Sequence, residues 1–168
     1  MSTQPNVSLE GRVALVTGST TGLGKAIAAR LSDAGAKVAM NFANHVGRSE
    51  EAFESFQANG GRGALFRGDV TDPEDVPRLI DAIKAKLGPV DVLVCNATPD
   101  QPQLPIEEYD WDFHQRMIDF FVKSPFLLTR AILPHMRDQR WGRILNIGSE
   151  VFDRGLPNFS PYVAAKGA

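Results

Sequence analysis

Residues 12–24 read Arg-Val-Ala-Leu-Val-Thr-Gly-Ser-Thr-Thr-Gly-Leu-Gly, and this stretch decides the fold. Its first six residues, Arg12–Thr17, form a short apolar run rich in β-branched side chains, as a strand covered on both faces requires. Gly18, Gly22 and Gly24 follow, and Lys25–Asp33 then carries apolar residues at helical spacing. Glycines let a backbone turn sharply and let a ligand approach closely. The helix start behind them offers unpaired N–H groups and the positive end of a dipole. A pyrophosphate fits both features. A tight glycine turn that binds nothing would show the same three residues. The strand before it and the helix after it supply the context that a phosphate site needs. The spacing is not Gly-x-Gly-x-x-Gly, and no Gly-Lys-Ser/Thr follows as a Walker loop would demand.

Outward from this turn the same alternation continues. Strands are expected at Lys37–Ala43, Gly63–Arg67, Val90–Cys95 and Arg143–Ile147. Helices are expected at Ser49–Ala58, from the Thr71-Asp72-Pro73-Glu74 start to Leu87, over Glu107–Asp138, and from about Pro161. Thr71 or Asp72 is the candidate cap of the second of these, with Pro73 in its first turn. Gly35, Gly60-Gly61 and Gly88 are helix stops, and the three prolines of residues 99–105 mark a loop. Strands alternating with helices imply parallel β-α-β units, an α/β layered fold and one domain over residues 1–168.

Composition narrows the function. The chain has 168 residues, 43% of them hydrophobic, a net charge of −2 at pH 7 and a pI near 5.9, which gives no reason to expect a nucleic acid or an anionic membrane as partner. The polar N-terminal stretch MSTQPNVSLEG lacks a signal-peptide core, and the apolar stretch Met117–Met136 is interrupted by Asp119, Lys123, Pro125 and Arg130. The single cysteine, Cys95, is expected in a buried strand end, which suits a reducing, cytoplasmic setting. His45, His114 and His135 are too scattered for a metal site, and none is expected. Arg137, Arg140 and Arg143 read as a solvated surface beyond a helix end.

The pattern Thr17-Gly18-x-x-x-Gly22-x-Gly24 resembles that of the short-chain dehydrogenase/reductase family, and the resemblance extends over residues 11–168. Asp69-Val70 follows the third strand, where the family's aspartate meets the adenine ring. Cys95-Asn96-Ala97-Thr98 stands where the family has Asn-Asn-Ala-Gly, with only Asn96 and Ala97 retained. The chain is most similar to the classical branch that includes the 3-oxoacyl-carrier-protein reductases. The resemblance implies a Rossmann-like, doubly wound parallel sheet in three α/β/α layers, lacking its last strands. It also implies a nicotinamide cofactor held by Gly18, Ser19, Thr20, Thr21, Gly22, Leu23, Gly24, Asn44, Asp69, Val70, Asn96, Ala97, Tyr162 and Lys166. Members selective for NAD place an acidic residue at the end of the second strand. Here Asn41-Phe42-Ala43-Asn44-His45 holds no carboxylate, so NADP is preferred over NAD, with Ser19, Asn44, His45 and Arg48 as candidates for the 2′-phosphate. A solvated loop without selectivity is the alternative.

Ser149 is placed at the end of the fifth strand, and Tyr162 and Lys166 are four apart on one helix face. An ammonium beside a phenol lowers the phenol's pKa from about 10, which makes it a usable acid/base near neutral pH. The resemblance gives these residues the catalytic roles. Tyr162 exchanges a proton with a carbonyl or alcohol oxygen, Ser149 positions that oxygen, and Lys166 holds the ribose and tunes Tyr162. The implied substrate is a small carbonyl or alcohol, and the full-length protein is implied to be a homo-oligomer. The competing reading is a nucleotide-binding protein without catalysis, or an inactive fragment of such an enzyme.

Two departures stand out. Phe121 aligns with the family's catalytic asparagine, and Pro125, which cannot donate to the carbonyl four residues back, should leave the Phe121 carbonyl free and kink the helix. The chain ends at Ala168, two residues past Lys166. The family continues from there through a sixth strand, a substrate lid and a seventh strand, so the fifth strand is expected as an open edge. Trp111, Phe113, Phe120 and Phe126 are expected in the core or in a helix-pair interface.

Overall fold

The computed structural model describes residues 8–168; the polar stretch of residues 1–7 lies outside the described residues. Five strands pair in parallel in the order β3-β2-β1-β4-β5: β1 (Val13–Val16), β2 (Lys37–Phe42), β3 (Gly63–Arg67), β4 (Val92–Cys95) and β5 (Arg143–Asn146). The chain winds outward from β1 to β3, then crosses back to place β4 on the other side of β1. That reversal between β1 and β4 opens a crevice at the carboxyl ends of the strands.

Period-two alternation assigns the two faces. Val13 and Leu15 of β1 point into one apolar cluster with Leu79 and Ile83 of α3 (Asp75–Lys86) and with Leu128 and Ile132 of α5 (Ser124–Asp138). Ala14 and Val16 point into the other, with Ala28 of α1 (Gly22–Asp33) and Phe56 of α2 (Val46–Ala58). The result is the three-layer doubly wound sheet expected from the sequence. β1 is buried throughout, whereas all four residues of β5 are exposed, as an edge strand's would be.

Several boundaries differ from the sequence expectation. The helix after β3 begins at Asp75, so Pro73 precedes it. Asp72 accepts from the Glu74 N–H (2.8 Å) and shapes the approach, while no side chain caps the helix at Glu74. The stretch 107–138 is not one helix. A 3-10 turn at Ile106–Glu108 is followed by α4 (Trp111–Ile118), a π-helical segment at Asp119–Lys123, and α5. Asp110, whose carboxylate accepts from the Phe113 N–H (2.7 Å), sets the start of α4. In the π segment Ser124 N–H donates to the Asp119 carbonyl, five residues back. Counted in that register, the carbonyl facing the Pro125 nitrogen is that of Phe120 and no longer that of Phe121. The proline is thus accommodated by widening the helix at its junction with α5.

Trp111 and Phe126 are exposed at 68% and 59%, not in the core; Trp111 stacks on His114 and Phe126 lies under Arg130. A four-residue helix α6 (Val151–Arg154) and α7 (Ser160–Gly167) complete the described chain. No described helix is long and apolar enough to cross a membrane.

Candidate active site

The glycine turn is built around close approach. Gly18 has φ +60°, and a Cβ there would stand 2.9 Å from the Ala97 Cα. A Cβ on Gly24 would stand 2.5 Å from both the Asn96 side-chain nitrogen and the Gly18 carbonyl oxygen. The missing side chains let the turn lie directly on the segment leaving β4. The first bond of α1 is Lys25 N–H to Thr21 O (3.1 Å), so the N–H groups of Gly22, Leu23 and Gly24 are not spent on the helix. α1 thus starts three residues earlier than the sequence reading placed it, and its open end faces the crevice.

A neutral network ties the turn to three strands. Thr17 Oγ1 accepts from the N–H groups of Asn96 and Ala97, each at 2.9 Å. Asn96 Nδ2 donates to the carbonyls of Thr17 (2.9 Å) and Gly18 (3.1 Å). Ser19 Oγ accepts from Asn41 N–H (2.9 Å), and Asn41 Nδ2 donates to the Gly68 carbonyl (3.0 Å). The sequence reading named Thr17 only as part of the glycine motif and Asn41 only as part of a carboxylate-free stretch, and gave neither a role in holding the turn. Asn41 carried a signal, since a polar residue inside the apolar run of β2 needs a buried partner.

A groove of about 700 Å³ runs over this network. Of the expected site residues, Gly18, Thr20, Thr21, Gly22, Leu23, Gly24, Asn44, Asp69, Val70, Asn96, Ala97, Tyr162 and Lys166 line it, joined by His45 and Arg48. Ser19 and Ser149 do not. Ser19 is wholly buried beneath the turn, and its hydroxyl accepts from the Asn41 N–H of β2. Ser149 lies three residues past the end of β5, and its Oγ accepts from Val151 N–H (3.4 Å) at the start of α6. Asp69 points its carboxylate back to Thr71, accepting from the backbone N–H (2.9 Å) and the hydroxyl (2.7 Å). Among the described residues, no group of three or more acidic, histidine or cysteine side chains is placed to hold a metal.

At the far end of the groove, Tyr162 and Lys166 project from α7. The Lys166 Nζ lies 5.7 Å from the Tyr162 ring centroid and donates to the Ile147 carbonyl beyond β5. Burial pushes the Lys166 ammonium below the ordinary lysine value. Tyr162 sits between two rings, Phe159 with centroids 4.9 Å apart and Phe121 at 5.3 Å in an edge-to-face arrangement. Cys95, half-buried at the end of β4, has its thiol pushed up to about 12 by desolvation, so it is no nucleophile at neutral pH.

A parallel sheet with a topological reversal, a glycine-lined groove over it, and a tyrosine and lysine one turn apart at its end define an α/β protein of the doubly wound, Rossmann-like class. The family model for short chain dehydrogenases matches residues 12–168, and the chain belongs to that family. It is 38% identical over 161 residues to the 3-oxoacyl-[acyl-carrier-protein] reductase of Haemophilus influenzae, covering 94% of this chain and 63% of that protein. It is 30% identical to the 2-dehydro-3-deoxy-D-gluconate 5-dehydrogenase of Formosa agariphila, over 95% of this chain and 60% of that protein. Among solved structures, a metagenomic short-chain oxidoreductase in complex with NADP superposes with a TM-score of 0.86 at 30% identity, covering 94% of this chain and 71% of that one. The chain therefore spans a little under two thirds of the length of these curated relatives.

Proposed function

We propose that this chain is a single domain carrying the cofactor site and proton-transfer pair of an NADP(H)-dependent oxidoreductase that interconverts a small carbonyl compound and its alcohol. The observation that carries the proposal is the continuous groove from the unspent N–H groups of Gly22, Leu23 and Gly24 to Tyr162 and Lys166. Those donors suit a pyrophosphate. Where β2 ends, the groove wall is Asn44, His45 and Arg48 with no carboxylate, which suits the extra phosphate of NADP. The solved relative with NADP supports the same choice.

The nicotinamide, when bound, supplies or accepts the hydride. In reduction, the Tyr162 hydroxyl gives its proton to the carbonyl oxygen as the carbon becomes that of an alcohol; in oxidation, the tyrosine oxygen takes the alcohol's proton back. Lys166 stabilises the tyrosinate that the first direction creates. Ser149 donates to the substrate oxygen once its hydroxyl is turned towards the groove. Lys166 also holds the ribose. The exposed face of Ile118, Val122 and Phe126 supports pairing with a second copy in the full-length protein. The lone, unreactive Cys95 suits a reducing, cytoplasmic setting.

A second reading, nucleotide binding without catalysis, draws on one observation: Ser149 is absent from the groove lining and engaged with Val151. NADPH fluorescence titration, followed by loss of NADPH absorbance with a panel of ketones, separates the two. We expect binding and turnover, with Tyr162→Phe lowering turnover roughly 10²–10⁴-fold while NADPH affinity holds. No NADPH binding at high protein concentration overturns both readings. Binding without turnover supports the second.

A further inference from the structure

Phe121 occupies the middle of the π-helical segment and reaches the groove between Tyr162 and Lys166. The Lys166 Nζ lies 4.1 Å from the Phe121 ring centroid, closer than to the ring of Tyr162. The same Phe121 ring meets Tyr162 edge-to-face at an interplanar angle of 75°. One aromatic side chain therefore touches both members of the pair. A cation over a ring face is attracted by the ring's quadrupole, and more strongly when it is partly desolvated. Lys166 is in that condition. Among the described residues, the one polar partner found for its ammonium is the Ile147 carbonyl, and no carboxylate is paired with it. The charged groups on the π segment, Asp119 and Lys123, pair with each other at 3.7 Å. The other charged or titratable groups along the groove are Asp69, Asp100, His45 and Arg48. Asp69 is turned to Thr71, while His45 and Arg48 belong to the β2–α2 end.

We propose that Phe121 is a positioning residue for the Tyr162–Lys166 pair, its ring face holding the Lys166 ammonium in place and its contact with Tyr162 fixing the phenol beside it. The π-helical widening at Asp119–Lys123 belongs to the same device, because the i→i+5 turn is the backbone geometry from which Phe121 reaches α7. The proposal rests on the oxidoreductase reading for its purpose, but the contact is testable without turnover.

The test is the titration of Lys166, followed by NMR of protein labelled at the lysine ε-carbon, with Lys166→Met identifying the resonance. Phe121→Leu and Phe121→Met keep apolar bulk and remove the ring face, whereas Phe121→Tyr keeps the face. We expect the Lys166 pKa to fall by about half a unit to one unit in the first two, and to return to the wild-type value in Phe121→Tyr. In the oxidation direction the basic-limb pH profile of kcat should move with it, while KM for NADP changes less. A Lys166 pKa that stays put in both Phe121→Leu and Phe121→Met overturns the proposal, since a side chain that only fills space would change stability alone. If the wild type turns over no ketone, the oxidoreductase reading fails, and the lysine titration still decides the contact.

Discussion

The two ends of strands β1 and β4 are held in opposite ways. At their carboxyl ends the chain uses neutral groups: Thr17, Asn96, Asn41 and Ser19 exchange hydrogen bonds with backbone and leave the groove above them open. At their amino ends it uses charge. The Asp91 carboxylate accepts from Val13 N–H (2.9 Å) and Gln139 Nε2 (2.7 Å), with Arg12 and His135 nitrogens each at 3.4 Å. Arg12 also lies 4.0 Å from the Trp141 ring centroid, so the bond network of Asp91 gathers β1, the approach to β4, the end of α5 and the approach to β5. The difference follows from what each end must do. A site for an anionic, mobile ligand needs donors left over and no competing carboxylate. A structural clasp can converge several donors on one buried acid.

The sharpest way to break the comparison is Asp91→Ala. It strands the buried Val13 N–H, removes one of the two acceptors of Gln139 and leaves Arg12 without its carboxylate, so we expect a loss of about 3 kcal/mol in denaturant unfolding. NADPH affinity of the remaining folded protein should be unchanged, because Asp91 lies at the opposite end of the strands from the groove. Thr17→Val should differ by reaching the groove. It deprives Asn96 and Ala97 N–H of their acceptor, costs about 2 kcal/mol, and weakens NADPH binding measurably in the same fluorescence titration. NADPH binding that weakened in folded Asp91→Ala, or that stayed at the wild-type value in Thr17→Val, would break the division of labour between the two ends.

The sequence made the alternation, the glycine turn and the Tyr162–Lys166 spacing legible because each is a local pattern: a period of two, a run of glycines, a separation of four. Neither holding network is local. Thr17 meets Asn96 across 79 residues, and Asp91 meets Gln139 across 48, so no window of sequence contains either pair. Ser19 was a candidate for the 2′-phosphate, and the partner its hydroxyl accepts from, Asn41 N–H, is one that only the pairing of β1 with β2 brings near. The π segment was hidden for a related reason. Pro125 announced a disturbance, but whether a helix kinks or widens is settled by what packs against it, here Tyr162 and Lys166 from α7.

Acid should act on the charged end alone. Burial by itself would raise the Asp91 pKa, but hydrogen bonds from Gln139, Val13 and His135 and the charge of Arg12 outweigh it and hold the carboxyl below its usual value. A depressed carboxylate binds protons more weakly in the folded state than in the unfolded one. Its contribution is therefore complete above the unfolded value near ~3.9 and is lost as the pH falls through the lower folded value. Asp91→Asn removes that titration. We expect its unfolding midpoint, measured between pH 6 and pH 2 (roughly the span over which carboxylates titrate), to start below that of the wild type and to fall less steeply at the acid end. Thr17→Val, which touches no ionisable group, should keep the wild-type slope throughout. Parallel acid limbs for Asp91→Asn and the wild type would mean that Asp91 is no more committed to its partners than an exposed aspartate.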